Sequence, residues 1–333
     1  MGALSPSDYE DVRIWVPWGH IAGRWYGNRS ERPILAIHGW LDNLGTFDRL
    51  IPLLPDYLGV LCIDLPGHGR SSRLPAGMQY STADYAFVIA RVMKEYGWRK
   101  VSLLGHSLGG AISFVYTALA PDSVDLAIIV DNLLPSTESP ERLKRFAYSV
   151  EKHLVEDGDA EDEPNSYTID HLRKVLSKGS RNSVPPELAH HLLNRCVAPS
   201  QLYPDKFYFT KDNRTKFYNF FPATVALFSE MARRIKNKPI LIIKGSKSNY
   251  ISSRDSEAIS ILKKQNPLFQ FHEVPGTHHV HLVDPEVVAQ HIVPFLRTHR
   301  PPKVSSWSLD GEKLGTTERE NFFARDVSRL SKI

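Results

Sequence analysis

The chain has 333 residues and a mass of 37.7 kDa, with 42% hydrophobic and 23% charged residues. This is the profile of a globular protein and excludes a disordered chain, a collagen-like chain and a coiled-coil rod. Of the net charge of +4, residues 297–333 supply +3 through eight basic and five acidic side chains. A nearly neutral body argues against a nucleic-acid partner.

Residues 10–16 and 19–26 read as a β-hairpin turning at Pro17-Trp18. PILAIH (33–38) is a short apolar strand, 44–54 a helix ending near Pro55, and VLCID (60–64) a second buried strand before the glycine-rich LPGHGRSS. Helical spacing over 81–97 closes at Gly97, and VSLLG (101–105) is a third buried strand. LGGAISFVYTALAP (108–121) follows as a helix, then LAIIVD (126–131) as another strand. Short continuous apolar strands between helices predict a mostly parallel sheet covered on both faces, an α/β fold. From about 132 the pattern turns polar and helical, with the acidic run EDGDAEDEP (156–164) read as a solvated loop and an aromatic stretch over 203–221. Alternation resumes at PILIIKG (239–245) and FQFHEVPG (269–276) and ends with a helix over 285–297. The expected division is a core of 1–131 and 237–298, an inserted cap over 132–236, and a flexible polar tail over 299–333. The cap should lie above the carboxyl ends of the strands, where open α/β sheets bind ligands.

Two cysteines, Cys62 and Cys196, are too few for a disulfide framework. The opening MGALSPSDYE has neither the basic nor the apolar region of a secretory leader, and no run reaches the ~18 apolar residues that span a membrane. The expectation is an intracellular, cytoplasmic protein.

The strongest motif is Gly105-His106-Ser107-Leu108-Gly109, set between an apolar strand and a helix. In a strand–elbow–helix of this kind the turn leaves no room for flanking side chains and lifts the Ser107 hydroxyl out at the carboxyl end of the sheet. A serine needs a base, and in this arrangement acid and histidine follow the nucleophile in that order. Gly276-Thr277-His278-His279-Val280-His281 lies after the last strand, with His278 the natural base and His279 and His281 its rivals. Three close histidines also raise a metal site, but no Cys, Glu or Asp cluster with zinc spacing accompanies them, so no metal and no cofactor are expected. The backbone N–H groups of Trp40, in His38-Gly39-Trp40, and of Leu108 are the candidate oxyanion donors. The Trp40 side chain is expected to wall the pocket.

HGW, IDLPGHGRS, GHSLGG and GTHHVHLVDPEVVAQHI, in this order, resemble the α/β-hydrolase superfamily. VPWGHIAGRWYG, HGWLDNLGTFDRLIPLLP and VPGTHHVHLVDPE resemble the animal serine hydrolase-like proteins within it, over about residues 10–297. The resemblance implies the fold and the serine nucleophile, and leaves the substrate open. Relatives that work through an alkyl-enzyme ester carry aspartate at the elbow, whereas Ser107 stands here, so acyl transfer is the expected chemistry. The acid departs from the usual pattern: Gly245-Ser246-Lys247-Ser248-Asn249-Tyr250 offers no carboxylate. Asp131, at the end of the strand after the elbow helix, is favoured over Asp255, while Asp64 is expected to brace the glycine-rich loop.

The leading expectation is a capped serine hydrolase cleaving a carboxylic ester of a small or lipid-like molecule, with the aromatics of 203–228 lining its acyl pocket. The alternative is a hydrolase-fold binding protein that holds a small apolar ligand with little turnover. The terminal Ser331-Lys332-Ile333 differs from the peroxisomal signal S-K-L only by Leu to Ile, which makes a peroxisomal import receptor a candidate partner, set against the plain reading of a random C-terminus on a cytosolic protein.

Overall fold

The computed structural model describes residues 8–134, 140–158, 163–217 and 224–309. The acidic residues 159–162, Tyr218, Phe220, Phe221 and Ser331–Ile333 lie outside them. Strands β1 (Tyr9–Val16) and β2 (Gly19–Gly27) form the antiparallel hairpin expected at Pro17-Trp18. β3 (Ile34–Ile37), β4 (Gly59–Ile63), β5 (Val101–His106) and β6 (Val124–Val130) follow, with helix α1 (Thr82–Tyr96) before β5 and α2 (Leu108–Leu119) after it. Ser81 caps α1 by accepting the Asp84 N–H, and Gly97 ends it at φ 70°, a left-handed cap that favours glycine.

The inserted region holds α3 (Pro140–Gly158), α4 (Ile169–Gly179), α5 (His190–Cys196), a two-stranded ribbon of β7 (Val197–Pro199) and β8 (Phe207–Phe209), and α6 (Val225–Arg234). β9 (Ile240–Gly245), α7 (Ser256–Gln265), β10 (Phe269–Val274), the short α8 (Val280–Val283) and α9 (Pro285–His299) complete the core. The main sheet runs β1-β2-β4-β3-β5-β6-β9-β10. Pairing is antiparallel from β1 to β4 and parallel from β4 onward. Every residue of β3, β4, β5 and the inner part of β6 is buried, because helices cover both faces. One apolar core lies between the sheet and α1, α2, α6 and α7; the other lies under α9 and the 44–54 segment.

Three boundaries differ from expectation. The 44–54 segment is two short 3₁₀ turns, Leu44–Phe47 and Ile51–Leu53, instead of one helix. Pro52 has no N–H to continue an α-helical ladder, and Gly45 lies so close to the His191 carbonyl that a Cβ would overlap it. Helix α6 packs on α2 and α7, with Phe228, Met231 and Ala232 in the main core, so it belongs to the core layer and not to the cap. The first residues of the tail are built into the body. Trp307 is buried and its carbonyl accepts the Arg32 N–H at 2.8 Å; the Arg300 guanidinium donates to Ser102 Oγ at 2.7 Å and to the Arg32 carbonyl. Among the described residues no helix is long and apolar enough to cross a membrane, and both cysteines are buried free thiols.

Candidate active site

Ser107 sits at φ 51° and ψ −116°, a left-handed-side conformation a serine adopts only under constraint. Three backbone bonds hold it: Ser107 N–H to Val130 O at 2.9 Å, Gly109 N–H to His38 O at 3.1 Å, and Ala111 N–H to Ser107 O at 3.1 Å. A Cβ at Gly105 would overlap the Gly109 carbonyl, and one at Gly109 the Ile37 carbonyl. The motif's glycines are thus packing requirements of the elbow.

β6 ends one residue before Asp131, which bends the chain at φ 56°, donates its N–H to Ile243 O at 2.8 Å and is fully buried. The loop after β10 presents His278. Its Nδ1 lies 2.7 Å from Asp131 Oδ2 and its Nε2 2.8 Å from Ser107 Oγ. A carboxylate can only accept, so Nδ1 carries the proton and Nε2 offers its lone pair to the serine. Asp131 Oδ1 accepts the Gly245 N–H at 2.8 Å. Burial pushes the Asp131 carboxyl up to about 6, against the Ser248 hydroxyl and the Gly245 N–H, which favour the charged form. Burial, aided by neighbouring His279, pushes the His278 imidazole down and keeps it neutral near pH 7. The Tyr250 ring stacks on His278 at 3.7 Å and 15°.

The loop after β3 meets the elbow closely: a Cβ at Gly39 would stand 3.1 Å from Ser107 Cβ. Buried His38 donates to Gly39 O at 2.7 Å and accepts the Leu65 N–H at 2.9 Å, and His68 accepts the Leu41 N–H at 3.2 Å. Burial lowers both histidines and keeps them neutral for these roles. Among the described residues, neither the Trp40 nor the Leu108 backbone N–H has an acceptor. The Leu108 N–H belongs to the first turn of α2, where the helix dipole is positive. The Trp40 side chain is 53% exposed and donates its indole N–H to Thr215 O in the cap at 2.6 Å.

The remaining candidates lie elsewhere. Asp255 closes a capping box with Ser252, accepting the Ser252 N–H at 2.8 Å. Asp64 accepts from Leu44 N, Arg70 N and Arg195, as a loop brace does. His281 bonds Thr46 Oγ1 at 2.9 Å, and His279 Nδ1 meets Ser183 Oγ at 2.7 Å. The expected aromatic lining is mostly structural. Phe207 and Phe209 pack into a small cap core with Leu172 and Leu193, Phe228 enters the main core, and Tyr203 is exposed. Phe217, beside Tyr80, Phe146 and His153, lines a cavity. Sequence reasoning missed Tyr250 and Ser248, although both stand in the segment searched for an acid.

Residues 32–285 match the family model described as alpha/beta hydrolase fold. A probable serine hydrolase of Drosophila melanogaster is 36% identical over 300 residues, covering 88% of this chain and 89% of the relative. Human serine hydrolase-like protein 2 is 32% identical over 313 residues, covering 90% and 98%. Among solved structures, a hypothetical protein of Pseudomonas aeruginosa PAO1 aligns with TM-score 0.72 and 26% identity, covering 87% of this chain and 98% of that one. The thioesterase domain from the curacin biosynthetic pathway aligns with TM-score 0.71 at 21% identity, covering 86% and 100%, a likeness of fold. With this match and the site's geometry together, the chain belongs to the alpha/beta hydrolase family and is a hydrolase of the serine hydrolase-like type.

Proposed function

We propose that the protein hydrolyses a carboxylic ester of a small or lipid-like molecule through an acyl-enzyme on Ser107. The observation that carries this reading is the unbroken relay from Asp131 through His278 to Ser107 Oγ, at 2.7 and 2.8 Å. His278 Nε2 takes the Ser107 proton as Oγ bonds to the ester carbonyl carbon, and the carbonyl oxygen takes the negative charge. The N–H groups of Trp40 and Leu108 receive that oxyanion. Collapse breaks the bond to the leaving alcohol, which takes the proton from His278. Water then repeats the sequence on the acyl-enzyme, giving His278 a proton and releasing the acid from Ser107. Asp131 holds the imidazole tautomer and balances the imidazolium formed at each step.

The test is labelling with a fluorophosphonate probe together with a screen of p-nitrophenyl esters of graded acyl length. Expected are a covalent adduct on Ser107 and turnover that disappears in Ser107→Ala. Folded protein that neither labels nor turns over would support the hydrolase-fold binding protein instead.

A further inference from the structure

Three residues the proposed reaction leaves unused converge beside it. Asp42 lies two residues past Trp40, His106 immediately precedes Ser107, and His279 immediately follows His278. All three are buried, and one ligand atom from each lies within 4.8 Å of the others. Asp42 Oδ2 stands 3.5 Å from His279 Nε2 and 3.7 Å from His106 Nδ1. The histidine cluster therefore does have an acid, from a loop more than 200 residues earlier in the chain, which the sequence spacing hid.

The surrounding hydrogen bonds fix what each atom offers. His106 Nε2 is 3.0 Å from the His278 carbonyl, which can only accept, so Nε2 carries the proton. Nδ1 of the neutral ring is then a lone pair facing Asp42. Ser183 donates its hydroxyl proton to the Ser180 carbonyl at 2.6 Å, so toward His279 it accepts, and His279 Nδ1 donates. Nε2 of neutral His279 is then also a lone pair facing Asp42. Among the described residues, neither Asp42 oxygen has a donor, and His106 Nδ1 has no partner. Two nitrogen lone pairs and an unpaired carboxylate thus face one point. Buried polar groups left in that state are rare and costly, and a cation at the point satisfies all three.

We propose that Asp42, His106 and His279 bind one divalent transition-metal ion, zinc by the chemistry of the donors. Two imidazole nitrogens and a carboxylate oxygen are a zinc set that leaves a fourth place for water. Tetrahedral ligands at about 2.0–2.2 Å from zinc are roughly 3.3–3.6 Å apart. The separations from Asp42 need adjustment by only tenths of an ångström, and the two imidazole nitrogens, within 4.8 Å of each other, close by at most about 1 Å through small ring rotations. The ion would tie the oxyanion loop, the elbow and the histidine loop at positions one or two residues from each reacting group. Its role is to hold these loops in register, and the proton transfers run on Ser107 and His278 without it. Metal content is read without substrate, so the inference stands or falls independently of ester hydrolysis.

The full chain, prepared without a polyhistidine tag, is exposed to Zn(II), desalted, and analysed for metal by plasma mass spectrometry. The expected result is about one tightly held zinc per chain in wild type and in Ser107→Ala. Asp42→Asn and His279→Gln should each retain at least ~10-fold less, as loss of a ligand requires. The His272 and His291 rings stack 4.1 Å apart, so, to remove any contribution from this second histidine pair, the count is taken in a His272→Ala background. Co(II) substitution should give visible d–d bands in wild type that are missing in Asp42→Asn. If Asp42→Asn does not fold, His279→Gln carries the comparison. Equal metal retention in wild type and both ligand variants would overturn the proposal and assign the point to a water or a proton. Loss of the metal in Ser107→Ala would overturn it too, by moving the ion onto the reacting pair.

Discussion

Asp131→Asn separates the role of the carboxylate from its place in the fold. Asp131 Oδ1 accepts the Gly245 N–H and Oδ2 accepts from His278. An asparagine keeps the first bond with its carbonyl oxygen and so turns its NH₂ toward His278 Nδ1. Nδ1 must then accept, the ring proton moves to Nε2, and Nε2 can no longer take the proton of Ser107 Oγ 2.8 Å away. The base is lost through the wrong tautomer while the side-chain volume is kept. In the Ser-His-Asp template this change lowers kcat by about 10⁴, which corresponds to ~5.5 kcal/mol on the barrier. The expected result is that loss on p-nitrophenyl esters, with an unfolding midpoint near that of wild type. Asp255→Asn alters a buried capping box whose carboxylate also meets Arg254 but neither Ser107 nor His278, so it should leave kcat within about threefold and act on stability instead. A near-wild-type kcat in Asp131→Asn would refute the assignment.

Two further outcomes follow from the same geometry. The reaction needs Asp131 charged and His278 neutral; burial raises the first to about 6 and lowers the second, so kcat/KM should be flat above about pH 7 and fall as pH drops through 6. A midpoint above 7 in a pH–rate profile would contradict this. Tyr250→Ala removes the ring stacked on His278, so kcat should fall by roughly 10- to 10²-fold as the imidazole loses its fixed orientation; an unchanged kcat would reduce Tyr250 to packing.

The parallel sheet was legible because each of its strands is a short apolar run buried on both faces, as in ILAI (34–37) and GVLCI (59–63). The elbow was legible because its chemistry and its packing call for the same glycines. Asp131 could be read from its position at the end of the strand after α2. What escaped was decided by contacts distant in sequence. Pro52 and the His191 carbonyl set the conformation of 44–54, although its apolar pattern is helical. The polar helix α6 resembles its cap neighbours in composition, but Phe228, Met231 and Ala232 share one buried face against α2 and α7. Tyr250 and Asp42 carry no local signal, since each becomes informative only when the loops meet.

The cap is joined to the catalytic loops by ties of unequal strength. Arg195 of α5 donates twice to Asp64 Oδ2, at 2.8 and 3.1 Å, and both side chains are buried. Asp64 in turn accepts the Leu44 N–H just beyond the oxyanion loop. Removing one partner of such a pair leaves a buried charge and costs about 3–5 kcal/mol. The Trp40–Thr215 bond is a neutral hydrogen bond made by a side chain that is half exposed, and its loss costs about 0.5–1.5 kcal/mol. The Thr215 segment is anchored independently of Trp40: buried Arg214 pairs with Asp212 and donates to the Leu74, Pro75 and Met78 carbonyls, and Tyr80 donates to Asp212, so the Trp40 bond adds little to its hold. Arg195→Leu should lower unfolding stability by about 3–5 kcal/mol in a denaturant titration, and Trp40→Phe by about 1 kcal/mol or less. Equal losses of stability in the two variants would refute this ranking of the two ties.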